Sequence, residues 1–155
     1  MTPAIRVGRP SDEPALRGLQ RALREPSPDL LAHGLRVGGV AVSVAEDRSA
    51  DAAHSVVDRP VGYVLHVGGD NRHVAELVVA PAFRREGRAR RLLRHVCRVA
   101  DGGVTLLVHP DNEPARALYD SLGFDVIDRR PDFYDDADAL VMAVDASAPD
   151  SRGES

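Results

Sequence analysis

The stretch from Glu76 to Arg91 (ELVVAPAFRREGRARR) constrains this chain more than any other. An apolar run, Leu77-Val78-Val79-Ala80, is short enough for a buried strand and breaks at Pro81. A basic turn containing Gly87 follows, and then a helical pattern with Ala89, Leu92, Leu93, Val96 and Ala100 on one face. Such a junction leaves backbone N–H groups unpaired at the positive end of a helix, here flanked by Arg84, Arg85 and Arg88. A phosphate would be held there. Gly87 has a physical reason to be glycine, because a side chain would block close approach of a ligand or forbid positive φ. A plainer reading of the same residues is a helix start with a solvated arginine face. Neither common phosphate motif fits: the chain has no lysine for a nucleotide P-loop, and the first glycine pair of the dinucleotide fingerprint is missing.

Charge sharpens the point. Residues 84–98 carry seven arginines and one acid, a local +6, while the remainder carries 13 arginines against 23 acids. A small polyanion meets one favourable site on an otherwise acidic protein, and a long nucleic acid meets repulsion over most of the surface. The length of 155 residues fits one domain, expected over residues 1–145, with the small, polar stretch 146–155 expected to be a disordered tail. Cys97 stands alone and reads as a small core residue in a reducing compartment. The six histidines and one cysteine show no ligand spacing, so no metal is expected. No apolar run reaches membrane length and Met1 to Ala4 has no signal-peptide character, which together predict a cytoplasmic protein, monomer or homodimer.

In chain order, Ala4 to Val7 reads as a strand, and Ser11 as the cap of a helix reaching about Arg24 with Leu16, Leu19 and Leu23 on one face. Asp29 to His33 supplies one or two further helical turns before Gly34. Val40 to Val44 is a strand, Glu46 to Pro60 a polar connection, and Val61 to Val67 and His73 to Ala80 two more strands of an antiparallel meander. The helix after the basic turn ends at Gly102, and Val104 to Val108 is a continuous apolar run expected to be buried on both faces. A helix follows, capped by Asp111 or Asn112 and stopped by Gly123, and Phe124 to Asp128 and Ala139 to Val144 are the last strands. The order β-α-α-β-β-β-α-β-α-β-β predicts an α/β (α+β) domain, a mixed, mostly antiparallel sheet of about seven strands flanked by about four helices.

The spacing Arg84-x-x-Gly87-x-Ala89 resembles the acyl-coenzyme A pyrophosphate signature of the GNAT superfamily of N-acetyltransferases. A second segment carries the same likeness at the expected distance: Asn112, Ala115, Leu118, Tyr119, Gly123 and Phe124 match Asn-x-x-Ala-x-x-Leu-Tyr-x-x-x-Gly-Phe. The element order also resembles that fold, so the likeness covers residues 4–145. Arg129-Arg130-Pro131-Asp132-Phe133-Tyr134, followed by Asp138-Ala139-Leu140-Val141-Met142, is similar to segments of the ribosomal-protein alanine and related N-terminal acetyltransferases, with Phe133 in place of a tyrosine. The plainer reading of Phe133 and Tyr134 is that they cover a sheet edge.

The resemblance implies acetyl-coenzyme A as donor and a primary amine as acceptor, most simply a protein N-terminus, with a small-molecule amine as the alternative. A non-catalytic acyl-coenzyme A-binding module is a third reading. It also implies roles: backbone groups of Leu77, Val78 and Val79 for the pantetheine arm, with the N–H near Val79 facing the oxyanion; the turn Arg84, Arg85, Glu86, Gly87, Arg88 and Ala89 for the diphosphate; Asn112 for the cofactor arm; Tyr119 for protonating the sulfur; and Phe133 and Tyr134 for the acceptor groove. Where the ribosomal-protein enzymes carry a glutamate base, this chain has Leu107. Glu76 is the substitute the sequence offers first, since it interrupts an apolar strand. His109 and His73 are the second and third candidates, each with a plainer reading as a solvated strand-end residue.

Overall fold

A computed structural model of the chain describes residues 4–48 and 56–145; the expected tail 146–155 and the middle of the 46–60 connection lie outside the described residues. The strands are β1 (Ala4–Val7), β2 (Val40–Arg48), β3 (Val56–Gly68), β4 (Arg72–Val79), β5 (Gly103–Val108), β6 (Asp125–Arg130) and β7 (Ala139–Asp145). The helices are α1 (Glu13–Gln20), α2 (Pro28–Val37), α3 (Arg88–Val99) and α4 (Glu113–Ser121). This is the element order and mixed class that the sequence implies. The seven strands form one sheet in the order β1-β2-β3-β4-β5-β7-β6. β1–β2, β2–β3, β5–β7 and β6–β7 pair antiparallel, and β4–β5 pair parallel over Arg72–Val104 to Val74–Leu106.

The residues up to 66 together with 76–93 form one compact unit. Its core is built from Leu16, Leu31, Leu35, Val42, Val64, Leu65 and Leu92, all essentially inaccessible to solvent. α1 is shorter than its apolar stripe suggests, because Ala22 and Leu23 donate three residues back, to Leu19 and Gln20, and the last turn tightens out of the α form. Ser11 is not its cap. It lies in a 3-10 turn, Pro10–Asp12, and the Asp12 carboxylate instead accepts the Arg9 amide at 2.7 Å and a two-pronged Arg6 pair at 2.8 and 2.9 Å. α2 is longer than expected. Gly34 reads as a stop but sits inside the helix, where a Cβ would come within 2.5 Å of Leu65 Cδ1, and the true stop is Gly38 at φ 80°. The described ends of the 46–60 connection are a paired ribbon, with backbone register from Glu46–Asp58 to Arg48–Val56. Polar composition hides it, since pairing needs the backbone and not an apolar alternation.

Residues 67–75 with those from 94 on form the second unit. Val96, Val104, Leu106, Val108, Phe124, Leu140 and Met142 make its core. β5 is not buried on both faces: Val104, Leu106 and Val108 are buried, while Thr105 and Leu107 on the other face are half-buried. Gly123 ends α4 at φ 94°, and β6 runs two residues further than its apolar start suggests.

Two glycines give opposite outcomes. Gly18 lies in α1, and a Cβ added to it would meet no atom within 4 Å, whereas a Cβ at Gly62 would meet the Val78 carbonyl oxygen at 2.8 Å. Gly18→Ala raises the unfolding free energy by about 0.5–1 kcal/mol, through helix propensity and unfolded-chain entropy. Gly62→Ala lowers it, because two backbones must part; the midpoints of urea unfolding read both signs.

Candidate active site

In the first unit, the apolar run ends where Ala80 donates its amide to Val61 O at 2.8 Å. The chain crosses a 3-10 turn, Pro81–Phe83, and then takes positive φ twice, at Arg85 (65°) and Gly87 (78°). These two left-handed residues curl the turn into the start of α3. The first backbone bond of that helix is from Arg91 N–H to Gly87 O at 3.1 Å, so the amides of Gly87, Arg88 and Ala89 precede any acceptor the helix can offer. A Cβ on Gly87 would meet nothing within 4 Å. These helix-start amides stand beside the exposed Arg84 and Arg85, a combination that suits a diphosphate.

The three arginines do not behave alike. Arg84 gives its Nε to Val79 O at 2.9 Å, tying the turn to the end of β4, and Arg85 is exposed. Arg88 turns inward and is 9% exposed, with Nε on Glu86 Oε1 at 2.9 Å and a terminal nitrogen on Ser43 Oγ and Val44 O at 3.0 and 3.2 Å. Leu77 is half-buried between the buried Glu76 and Val78, Val79 is buried as well, and Ala89 is half-buried.

Glu76 shares the inward face of β4 with Val74 and Val78 and is 3% exposed. Both its oxygens are taken. Oε1 accepts from Gln20 Nε2 at 3.0 Å and from Tyr63 OH at 2.8 Å; Oε2 accepts from the same Gln20 nitrogen at 3.1 Å and from the Ser27 amide at 2.7 Å. Burial and the adjoining carboxylate push the Tyr63 phenol far above its ordinary range, so it remains a donor. Gln20, Ser27 and Tyr63 are functional partners that the sequence reading missed. One signal was available: Gln20 falls four residues after Leu16, on the buried stripe of α1, where a polar side chain needs a partner.

In the second unit, Asn112 caps α4, its Oδ1 accepting the Ala115 amide at 3.2 Å, which leaves its amide hydrogens as donors toward a ligand. Tyr119 is buried on α4, 6.0 Å from the Phe124 ring. Burial, with Tyr134 adding to it, pushes the Tyr119 phenol up to about 12. Phe133 and Tyr134 meet edge to face at 5.0 Å, and Tyr134 packs on His109 at 4.9 Å. His109 is not a solvated strand end. It is 4% exposed, its Nδ1 accepts the Asp111 amide at 3.0 Å, and its Nε2 therefore carries the proton that goes to Asp136 at 2.9 Å. His73 is half-buried with Nδ1 2.8 Å from Thr105 Oγ1, and burial together with Arg130 pushes its pKa down. Leu107 pairs with Val141 across β5 and β7. Among the described residues no group of three potential ligands could hold a metal ion, and no helix is long and apolar enough to cross a membrane.

The chain is similar to known acetyltransferases. The mycothiol acetyltransferase of Clavibacter sepedonicus is 45% identical over 74 residues, 47% of this chain and 24% of that protein. The N-alpha-acetyltransferase RimI of Mycobacterium tuberculosis is 43% identical over 93 residues, 58% of this chain and 53% of that one. The chain thus spans about half the length, or less, of these curated relatives. Among solved structures, Arabidopsis thaliana NAA60 in complex with acetyl-CoA shares the fold at a TM-score of 0.76 and 20% identity, covering 95% of this chain and 100% of that one. Residues 21–124, which take in both the basic turn and the Asn112–Tyr119 helix, match the Acetyltransferase (GNAT) family, and the chain belongs to that family.

Proposed function

We propose that the protein is an acetyl-coenzyme A-dependent N-acetyltransferase whose acceptor is a protein N-terminal α-amino group. The observation that carries the reading is the amide-lined, arginine-flanked turn at Arg84–Ala89, which fits a diphosphate. The solved acetyl-CoA complex of the same fold and the N-alpha-acetyltransferase relative support it. Acetyl-coenzyme A supplies the activated thioester carbonyl; the rest falls to this chain's residues.

The amides of Gly87, Arg88 and Ala89, with those of Arg85 and Glu86 ahead of them and the Arg84 and Arg85 side chains, take the diphosphate. The backbone of Leu77, Val78 and Val79 takes the pantetheine arm, and the Val79 N–H stabilises the developing oxyanion. In the second unit, Asn112 is the residue assigned as a donor to the cofactor, Phe133 and Tyr134 are those assigned to the acceptor, and Tyr119 is assigned to the leaving sulfur. Its phenol is the weaker acid, about 12 against roughly 8.5 for a thiol, so complete transfer to a thiolate is uphill. It serves by donating a hydrogen bond as charge builds on sulfur. Glu76 acts as base only by exchanging one of its present donors for a water; the α-amine, already about a tenth neutral at pH 7, asks little of it. The chain's likeness to a mycothiol acetyltransferase supports a second reading, in which the acceptor is a small-molecule amine.

Release of coenzyme A thiol on adding short peptides, against a panel of free amines, separates the two. Tyr119→Phe slows release at least about tenfold at saturating donor; an unchanged rate removes Tyr119 from the mechanism. The pH profile carries a sign. Activity rises through the acceptor's pKa near ~8 and then stays flat past about pH 10, since Tyr119 keeps its proton until about 12. An alkaline limb falling near the ordinary tyrosine value would show that the working acid is another group.

A further inference from the structure

We infer that Arg88 is not a ligand of the anion-binding turn but the clamp that shapes it, together with Phe83, Arg59, Ser43 and the Val44 carbonyl. The inference rests on the proposed role of that turn and assigns this arginine a different task within it.

The sequence places Arg88 among arginines that look interchangeable. The structure separates it by what its guanidinium touches. Nε meets Glu86 at 2.9 Å, one terminal nitrogen bridges Ser43 Oγ and Val44 O, and the guanidinium carbon lies over the Phe83 ring at 5.2 Å from the centroid. Arg59 covers the same ring at 5.3 Å. Phe83 is thus a shared aromatic platform for two cations, one carried by β3 and one by the first residue of α3. Every contact lies within the first unit.

The seat on β2 lies at an irregularity of the ladder. The register between β2 and β3 shifts between Ser43 and Val44: Ser43 stands opposite Gly62, and Val44 opposite Pro60. Arg88 reaches both the Ser43 hydroxyl and the Val44 carbonyl there. The planar fork is what allows one side chain to serve a hydroxyl, a carbonyl and a carboxylate at once, and a lysine could not reproduce this. With Nε and one terminal nitrogen committed and its side chain 9% exposed, Arg88 contributes its amide to the turn while its side chain holds that amide in place.

The test uses the full chain and acetyl-coenzyme A as probe, comparing Arg88→Lys, Arg88→Leu, Phe83→Leu and Arg85→Ala with wild type. Titration calorimetry at several salt concentrations reads affinity and its salt slope, and hydrogen exchange of the amides at 84–89 without ligand reads the turn itself. For a clamp, Arg88→Lys and Arg88→Leu both weaken binding about tenfold while the salt slope stays at the wild-type value. Both also speed exchange at 84–89, and Phe83→Leu does the same. KM for the donor rises with kcat at saturation held within about twofold. Arg85→Ala, by contrast, flattens the salt slope. The inference is overturned if Arg88→Lys keeps wild-type affinity, or if Arg88→Leu flattens the slope with exchange unchanged, since either result makes Arg88 a direct partner of the phosphates. Wild type failing to bind the probe would overturn the proposed function; the exchange comparison would still decide the clamp.

Discussion

A carboxylate inside an apolar strand is the constraint on which the first unit depends. Burying Glu76 without partners would cost several kcal/mol, more than most single contacts in a domain return. The fold answers with donors from three places: the Gln20 side chain at the end of α1, the Ser27 amide just before α2, and the Tyr63 hydroxyl on β3. Each arrival fixes something else. Gln20 ties down the end of α1, Ser27 ties down the connection into α2, and Tyr63 ties β3 to β4. The strand that continues from Glu76 into Leu77, Val78 and Val79 is therefore held on its inner face before any ligand arrives. A glutamate that looks in the sequence like a spare catalytic acid is in the structure the knot of the unit.

What the sequence made legible is mostly backbone punctuation. Gly87 and Gly123 adopt the positive φ their positions demand, Asn112 caps the helix it precedes, and Pro81 ends a strand. Those signals are local, acting within a few residues, and one chain suffices to read them. Tertiary choices were not legible. Nothing near Gly34 says that Leu65, 31 residues on, needs the space of a missing side chain. Nothing near Glu76 names partners 56, 49 and 13 residues away. Arg88 is the plainest case. Its neighbours in the motif are exposed, and only the contacts with Ser43 and Val44, more than 40 residues away, show why it is not.

The second unit shows a related economy. His109 and Tyr119 both invite a proton-transfer role by residue type, and the structure treats them differently. The imidazole is closed at both nitrogens, by an amide on one side and a carboxylate on the other, and works as a flat spacer against Tyr134. The Tyr119 phenol is buried, and burial is the main cause that raises the cost of its ionised form. A group kept from ionising is a dependable hydrogen-bond donor, which suits a leaving sulfur better than a base.

The engagement of Glu76 and His109 bears on which amine the protein can use. An acceptor must lose its proton before it can attack, and a side chain whose lone pairs are all occupied is a poor collector of that proton. An α-amino group near pKa ~8 is already partly neutral at pH 7, whereas a lysine near ~10.4 is neutral to an extent roughly two orders of magnitude smaller. With Glu76 and His109 each engaged within its own unit, the α-amino acceptor proposed above is the amine that asks least of a base.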